Sequence, residues 1–473
     1  MVKQNSAFGV IVGTRGFFNP ELAKSGRDQV VQRLENLGFG VVIPPKDMTE
    51  TGAVETTADA RKYAQFFNER IDEIDGFIVT LPNFGDELGI VNTIQGIHKR
   101  LPILVHAFDD QPDKVSVSER RDAFCGKISV TNNFYQYSIP FTNTRTHTVN
   151  PDDEQFAADI ERFARVCRVV NGLKGARIGA IGSRPTPFQT MRASEKLLQA
   201  SGPTVITVDQ SQIFGMAEKK SSNDADVRAR VEEIRQYGNI DSEATEEQIN
   251  RHGRLSVVLD EWIAENEIDA VAIMCWDSVQ TNFGCAFCAS MSMMGEKKLI
   301  PAACETDIAG VLSMYALDLA SGNPAALMDW NNNVGQHENK VACTHCANYP
   351  KSFFGGDINI SHLDVLGLSL GRENCFGAVT GKVMPGPMTF FRISTDDRNG
   401  RMKAYVGEGS FTDDEFPMDG GIAVASIDNL QPLMNHICKN GFEHHGAFVR
   451  SHVADIVDEA ITSYFDWDLY RHR

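Results

Sequence analysis

Short apolar runs recur along the first hundred residues, separated by polar stretches of helical length. FGVIVG (8–13), FGVVIP (39–44), GFIVTLP (76–82) and PILVHAF (102–108) show little alternation of polar and apolar positions. Such runs mark strands covered on both faces. Between them lie amphipathic segments such as PELAKSGRDQVVQRLENLG, whose closing glycine is a helix stop. Strand–helix alternation of this kind implies a parallel, doubly wound sheet.

The same pattern restarts after residue 173. ARIGAIG, VITVD and IDAVAIMC read as strands, followed by KLIPAAC and AALMD, with helices expected over 244–266 and 306–320. A helical segment at about 150–171 connects the two α/β regions. Beyond about residue 345, glycine and proline become frequent and strands follow one another directly. PMTFFRISTDDRNGRMKAYVGEG reads as two strands about an Asp-Arg-Asn-Gly turn, and helices are expected at 427–440 and 451–465. The expected architecture is therefore α/β: two doubly wound parallel-sheet domains, 1–170 and 171–345, then a mainly antiparallel, barrel-like domain over 346–473.

Chemistry concentrates in ACETDIAGVLSM and the AALMD run that follows it. Thr306 is expected to cap the intervening helix, with Asp307 in its first turn and Gly322 and Pro324 at its end. The two runs and the helix between them read as a strand–helix–strand unit whose right-handed crossover leaves the strands parallel, so Glu305 and Asp329 are expected to share the carboxyl edge of one sheet. Trp276, Asp277 and Gln280 would stand at the tip of the preceding strand. That edge is where open α/β sheets bind ligands. Two carboxylates there suit hard-metal ligation or general acid–base work, or are solvated loop acids and helix caps.

Charge narrows the partners. With 45 basic and 63 acidic residues the net charge is −18, which disfavours nucleic acid and anionic membranes. No apolar run approaches the roughly 20 residues of a membrane span, and the N-terminus lacks a signal peptide's apolar core. Ten cysteines scattered through apolar segments read as reduced thiols, and a cytoplasmic location is expected. The pairs CAFC (Cys285, Cys288) and CTHC (Cys343, Cys346) stand too far apart in sequence for a compact zinc ribbon. Their expected role is packing near the site. Neither GTRGFF nor GAIGSRP is a G-x-G-x-x-G fingerprint, so a nicotinamide cofactor is not expected.

Taken together, ACETDIAGVLSM, the 24-residue step from Glu305 to Asp329 and GFEHHGAFVRSH resemble the metal-site segments of the L-fucose isomerase family. GVIVGTRGFF, DGFIVTLPNFGDE, RRDAFCGKISVTNN, RIGAIGSRPTPFQTMRASEKLL and RISTDDRNGRMKAYVGEG extend the likeness along nearly the whole chain. The length resembles a compact branch that includes sulfoquinovose isomerases. The resemblance implies a metal held by Glu305, Asp329 and His445, with His444 as the neighbouring alternative histidine. Glu305 and Asp329 would also be the acid–base pair of an aldose–ketose isomerisation through a cis-enediol. Sulfoquinovose, L-fucose and D-arabinose are the leading substrates. Mn²⁺ suits the mixed carboxylate and imidazole set, with Mg²⁺ or Co²⁺ as alternatives.

The same resemblance implies that Arg15 and Gln280 bind the sugar and that the protein is a homo-oligomer, a hexamer, with active sites between subunits. Trp276 would wall the pocket. Arg184 and Arg192, with Arg15, are candidates to neutralise a sulfonate. A metal-dependent sugar lyase or aldolase, and a non-catalytic sugar-binding protein, are the alternatives.

Overall fold

In the computed structural model the described residues are 6–473, apart from 347, 356 and 419. They form two compact units. The smaller runs to Asn171 and includes Glu459–Phe465, and the larger comprises Gly172–Asp458 and Asp466–Arg473. Among the described residues, no helix is long and apolar enough to cross a membrane.

The smaller unit is built on five parallel strands in the order 40–42, 7–12, 76–81, 103–107, 142–143. Helices cover both faces, which explains the uninterrupted apolar runs. Ile11, Val79 and Val105 enter one core, while Val10, Val12, Ile78 and Leu104 enter the other. The helix Glu154–Gly175 matches the expected connecting segment.

The larger unit holds two sheets. Four parallel strands lie in the order 302–303, 270–273, 177–181, 204–208. The second sheet has ten strands and is mostly antiparallel. Six of these, 325–333, 340–345, 386–396, 401–411, 421–426 and 445–449, close on one another. Each pairs antiparallel with two neighbours, and the contact between 401–411 and 421–426 completes the ring. Closure removes the exposed edges of these strands. Phe390, Tyr405, Phe411 and Phe448 belong to the apolar core of this region. The hairpin turns at residues 397–400, as expected.

One expectation fails here. AALMD is not a parallel neighbour of KLIPAAC, because Ala325–Asn333 lies in the barrel and Ala302–Ala303 in the parallel sheet. The strands 325–333 and 340–345 thus join the antiparallel sheet ahead of the expected boundary at 346. An apolar run shows that a strand is buried but carries no signal of which sheet receives it.

Candidate active site and metal centre

Asp329 and His445 are direct cross-strand partners in the barrel, the relation that brings side chains of adjacent strands together. Glu305 arrives from the other sheet, just after Ala302–Ala303. Glu305 and Thr306 both have left-handed backbones, φ 61° and 53°, costing on the order of 1–3 kcal/mol each for non-glycine residues. The helix Ile308–Ser321 follows at once and packs against barrel strands. The carboxylates therefore approach from two sheets, and do not share an edge of one.

His445 is the hub. Its Nε2 lies 3.3 Å from Glu305 Oε2 and 3.3 Å from Asp329 Oδ1. Its Nδ1 lies 2.8 Å from Asp307 Oδ2. His345 Nε2 approaches His445 Nε2 at 3.3 Å. His444, 39% exposed, stands at the margin, with Nε2 3.5 Å from Asp329 Oδ1. Potential ligand atoms of Glu305, His444 and His445, and of Asp329, His345 and His445, lie within 4.8 Å of one another.

Glu305 Oε2 and Asp329 Oδ1 are buried without a hydrogen-bond partner. Leaving such oxygens unsatisfied is costly. Two orphaned carboxylate oxygens facing an imidazole nitrogen form a donor set that fits a divalent metal.

Asp307 is the residue the sequence pattern undervalued. It caps the helix, in place of Thr306, by accepting from Gly310 N at 2.8 Å. It also accepts from Arg392 Nη1 and Nη2 at 2.6 and 3.0 Å, a bidentate geometry. Arg392 reaches Glu443 at 3.2 Å, and Ser394 donates to Glu443 at 2.8 Å. Gly310 permits this crowding, since a Cβ there would meet the Asp307 carboxylate and lie 2.7 Å from Arg392 Nη1.

Burial opposes the charge on Asp307, but Arg392 and His445 outweigh it and hold the carboxyl far below its ordinary range. Burial likewise opposes protonation of His445, and the bond to Asp307 with the Glu305 carboxylate close by raises its pKa regardless. His345 is lifted to about 10, because Cys346 and the carboxylates of Asp329 and Glu305 overcome its burial. His444 moves down through burial and repulsion from His445.

Trp276 Nε1 points at Glu305 Oε1, 3.4 Å away. Phe188 packs edge-on to Trp276 at 5.3 Å and tilts over His444 at 5.7 Å, so the two aromatics adjoin the carboxylates. Gln280 is buried and donates to Cys275 O at 3.0 Å, while its Oε1 has no partner. Arg184 and Arg192 bond to carbonyls of their own loop: Arg184 donates to the carbonyls of Pro185, Thr186 and Phe188, and Arg192 to that of Gln189. Their loop enters the site through Phe188. Arg15 belongs to the smaller unit, where it pairs with Glu87, donates to Gly85 O at 3.0 Å and lies 4.3 Å above the Phe84 ring.

The paired cysteines separate. Cys343 joins the barrel core and Cys285 lies beside His252, whereas Cys288 and Cys346 meet. Asp307, Arg392, Glu443, His345 and Phe188 were absent from the expected site. Only the polar positions inside FFRIS and GFEHH could have pointed to a buried charge network.

Comparison with known proteins matches residues 9–174 to the fucose/sulfoquinovose isomerase N-terminal domain and residues 343–472 to the L-fucose isomerase C-terminal domain. A sulfoquinovose isomerase of Priestia aryabhattai is 24% identical over 457 residues, 96% of each chain. Another, from Alkalicoccus urumqiensis, is 25% identical over 320 residues, covering 66% of this chain and 68% of the relative. A third, from Clostridium sp. (strain MSTE9), is 28% identical over 200 residues, covering 41% and 43%.

Proposed function

The chain belongs to the fucose/sulfoquinovose isomerase family and is a sugar isomerase of the aldose–ketose class, and on that premise we propose that it converts sulfoquinovose to 6-deoxy-6-sulfofructose. The observation that carries the site is the convergence of Glu305, Asp329 and His445, with a buried carboxylate oxygen of each acid left unpartnered. These three residues hold a divalent metal, with Mn²⁺ the best match to the donor set and Mg²⁺ and Co²⁺ the alternatives. The bound ion supplies Lewis acidity toward the sugar's carbonyl and hydroxyl oxygens.

The chain's own residues do the rest. Asp307 accepts a hydrogen bond from the Nδ1–H of His445, which fixes the tautomer and leaves Nε2 free to ligate. One of Glu305 and Asp329 removes the C2 proton of the open-chain aldose, and the other is the complementary acid, giving a cis-enediol that is reprotonated at C1. Trp276 and Phe188 wall the site, and the free Oε1 of Gln280 accepts from a sugar hydroxyl. Arg15 reaches the sugar from a neighbouring copy in a homo-oligomer, and its guanidinium is the partner for the sulfonate.

The test is proton NMR of metal-loaded enzyme in D₂O with sulfoquinovose, L-fucose and D-arabinose separately. The expected result is loss of the C2 proton signal and ketose formation with sulfoquinovose, abolished by EDTA and restored by Mn²⁺. Exchange only with L-fucose or D-arabinose would overturn the substrate. Cleavage into two smaller fragments would replace the isomerase by a lyase.

A further inference from the structure

Three residues of the site have a cysteine as chain neighbour: Cys275 precedes Trp276, Cys304 precedes Glu305, and Cys346 follows His345. The segments that deliver these site residues also bring their neighbouring thiols together. The Sγ atoms of Cys275, Cys304 and Cys346 all lie within 4.8 Å of one another, and Cys304 and Cys346 are 3.4 Å apart. Cys288 lies alongside, its Sγ donating to the Cys346 carbonyl oxygen at 3.6 Å.

All four thiols are free, and 3.4 Å is well beyond the S–S bond length of about 2.05 Å. Thiolates at about 2.3 Å around a tetrahedral zinc stand about 3.8 Å from one another, which the three Sγ atoms of Cys275, Cys304 and Cys346, all within 4.8 Å, can meet. An approach exists as well. Cys346 lines a cavity of about 780 Å³, together with His362, Asp364 and Met418.

We propose that Cys275, Cys304 and Cys346, with Cys288 as the fourth ligand, bind zinc in a thiolate site distinct from the Glu305–Asp329–His445 set. Sulfur ligands select zinc, whereas the oxygen-rich set suits a harder ion. Binding is not a redox step: each ligating thiol gives its proton to water and forms one zinc–sulfur bond. The ion ties together the segments that carry Trp276, Glu305 and His345, and with them one side of the reaction centre. The four ligands come from four segments, only two of them in Cys-x-x-Cys pairs, and each pair contributes a single thiol.

The test uses the full-length protein, loaded with zinc under reducing, anaerobic conditions and freed of loose metal by gel filtration. A mercurial thiol reagent is then titrated in while released zinc is read with a chromogenic chelator. The expected result is release of one zinc per chain in step with thiol modification, unchanged in Glu305→Gln/Asp329→Asn and lost in Cys304→Ser/Cys346→Ser. Cobalt should give a thiolate charge-transfer band in the wild type and in the carboxylate variant. Thiol modification of the wild type without zinc release would overturn the proposal even if the cysteine variant did not fold. So would zinc that follows the carboxylates and survives loss of the thiols. Neither readout depends on turnover, so failure here is distinct from failure of the isomerase assignment.

Discussion

Two buried histidines in similar local sequence, VHAF at 105–108 and HHGAF at 444–448, meet opposite fates. His106 sits in the parallel sheet of the smaller unit, with Nδ1 2.9 Å from Thr80 Oγ1 and Nε2 2.7 Å from Val149 O. Phe108 and Phe156 flank its ring. Its bonding partners are neutral, so burial, aided by the Lys127 charge, drives its pKa down to about 3 despite the bond to Val149. His445 is as buried, but Asp307, Glu305 and Asp329 surround it, and its pKa moves up. The contrast teaches that burial alone makes a histidine a neutral packing residue. Convergent carboxylates reverse the shift and leave the same ring among potential metal donors.

The largest effect expected on the charged side of this contrast is loss of either acid. Glu305→Gln and Asp329→Asn should each lower turnover more than tenfold, above about 1.4 kcal/mol in barrier, with an unchanged circular dichroism spectrum. Activity above a tenth of wild type in either variant would remove it from the chemistry.

Next in size is Asp307→Asn, which takes the proton acceptor from His445 and leaves the buried Arg392 half-paired. Metal affinity, followed by competition with a fluorescent chelator, should fall about 10–100-fold. Unfolding stability should drop by about 3–5 kcal/mol. Unaltered metal affinity in a destabilised variant would show that Asp307 acts on the fold alone.

On the neutral side the sign follows from linkage. The folded pKa of His106, about 3, lies below its unfolded value of about 6.5, so the unfolded chain takes up the proton first. Its contribution is fully present above the unfolded value and is lost as pH falls toward the folded one, by about 1.4 kcal/mol per unit. Urea unfolding of the smaller unit from pH 7 to 4.5 should show this slope, and His106→Asn should flatten it. An equal slope in the variant would assign the acid sensitivity to other groups. The smallest effect is expected for half-exposed His444, where His444→Gln should change kcat/KM only a few-fold while His445→Gln loses metal. Equal losses would make His444 a ligand too.

Much of this molecule was determined by the sequence alone. Unalternating apolar runs mark the parallel strands, helical periodicity places 244–266 and 306–320 within a residue or two of the helices found, and Asp-Arg-Asn-Gly makes the hairpin turn. These features are local, set by side-chain pattern and backbone preference over a few residues. Glu305, Asp329 and His445 were singled out through their resemblance to a family's motifs, and the fold brings both acids to His445. What only the tertiary structure decided is which sheet each strand joins and therefore how the acids meet. Barrel closure pairs Asp329 with His445, two left-handed residues turn Glu305 toward them, and Arg392, remote in sequence, holds Asp307 beneath the imidazole. The gathering of four scattered thiols has the same origin. Strand partners and buried charge networks are relations between distant segments, stabilised only once the chain is packed, and no local pattern encodes them.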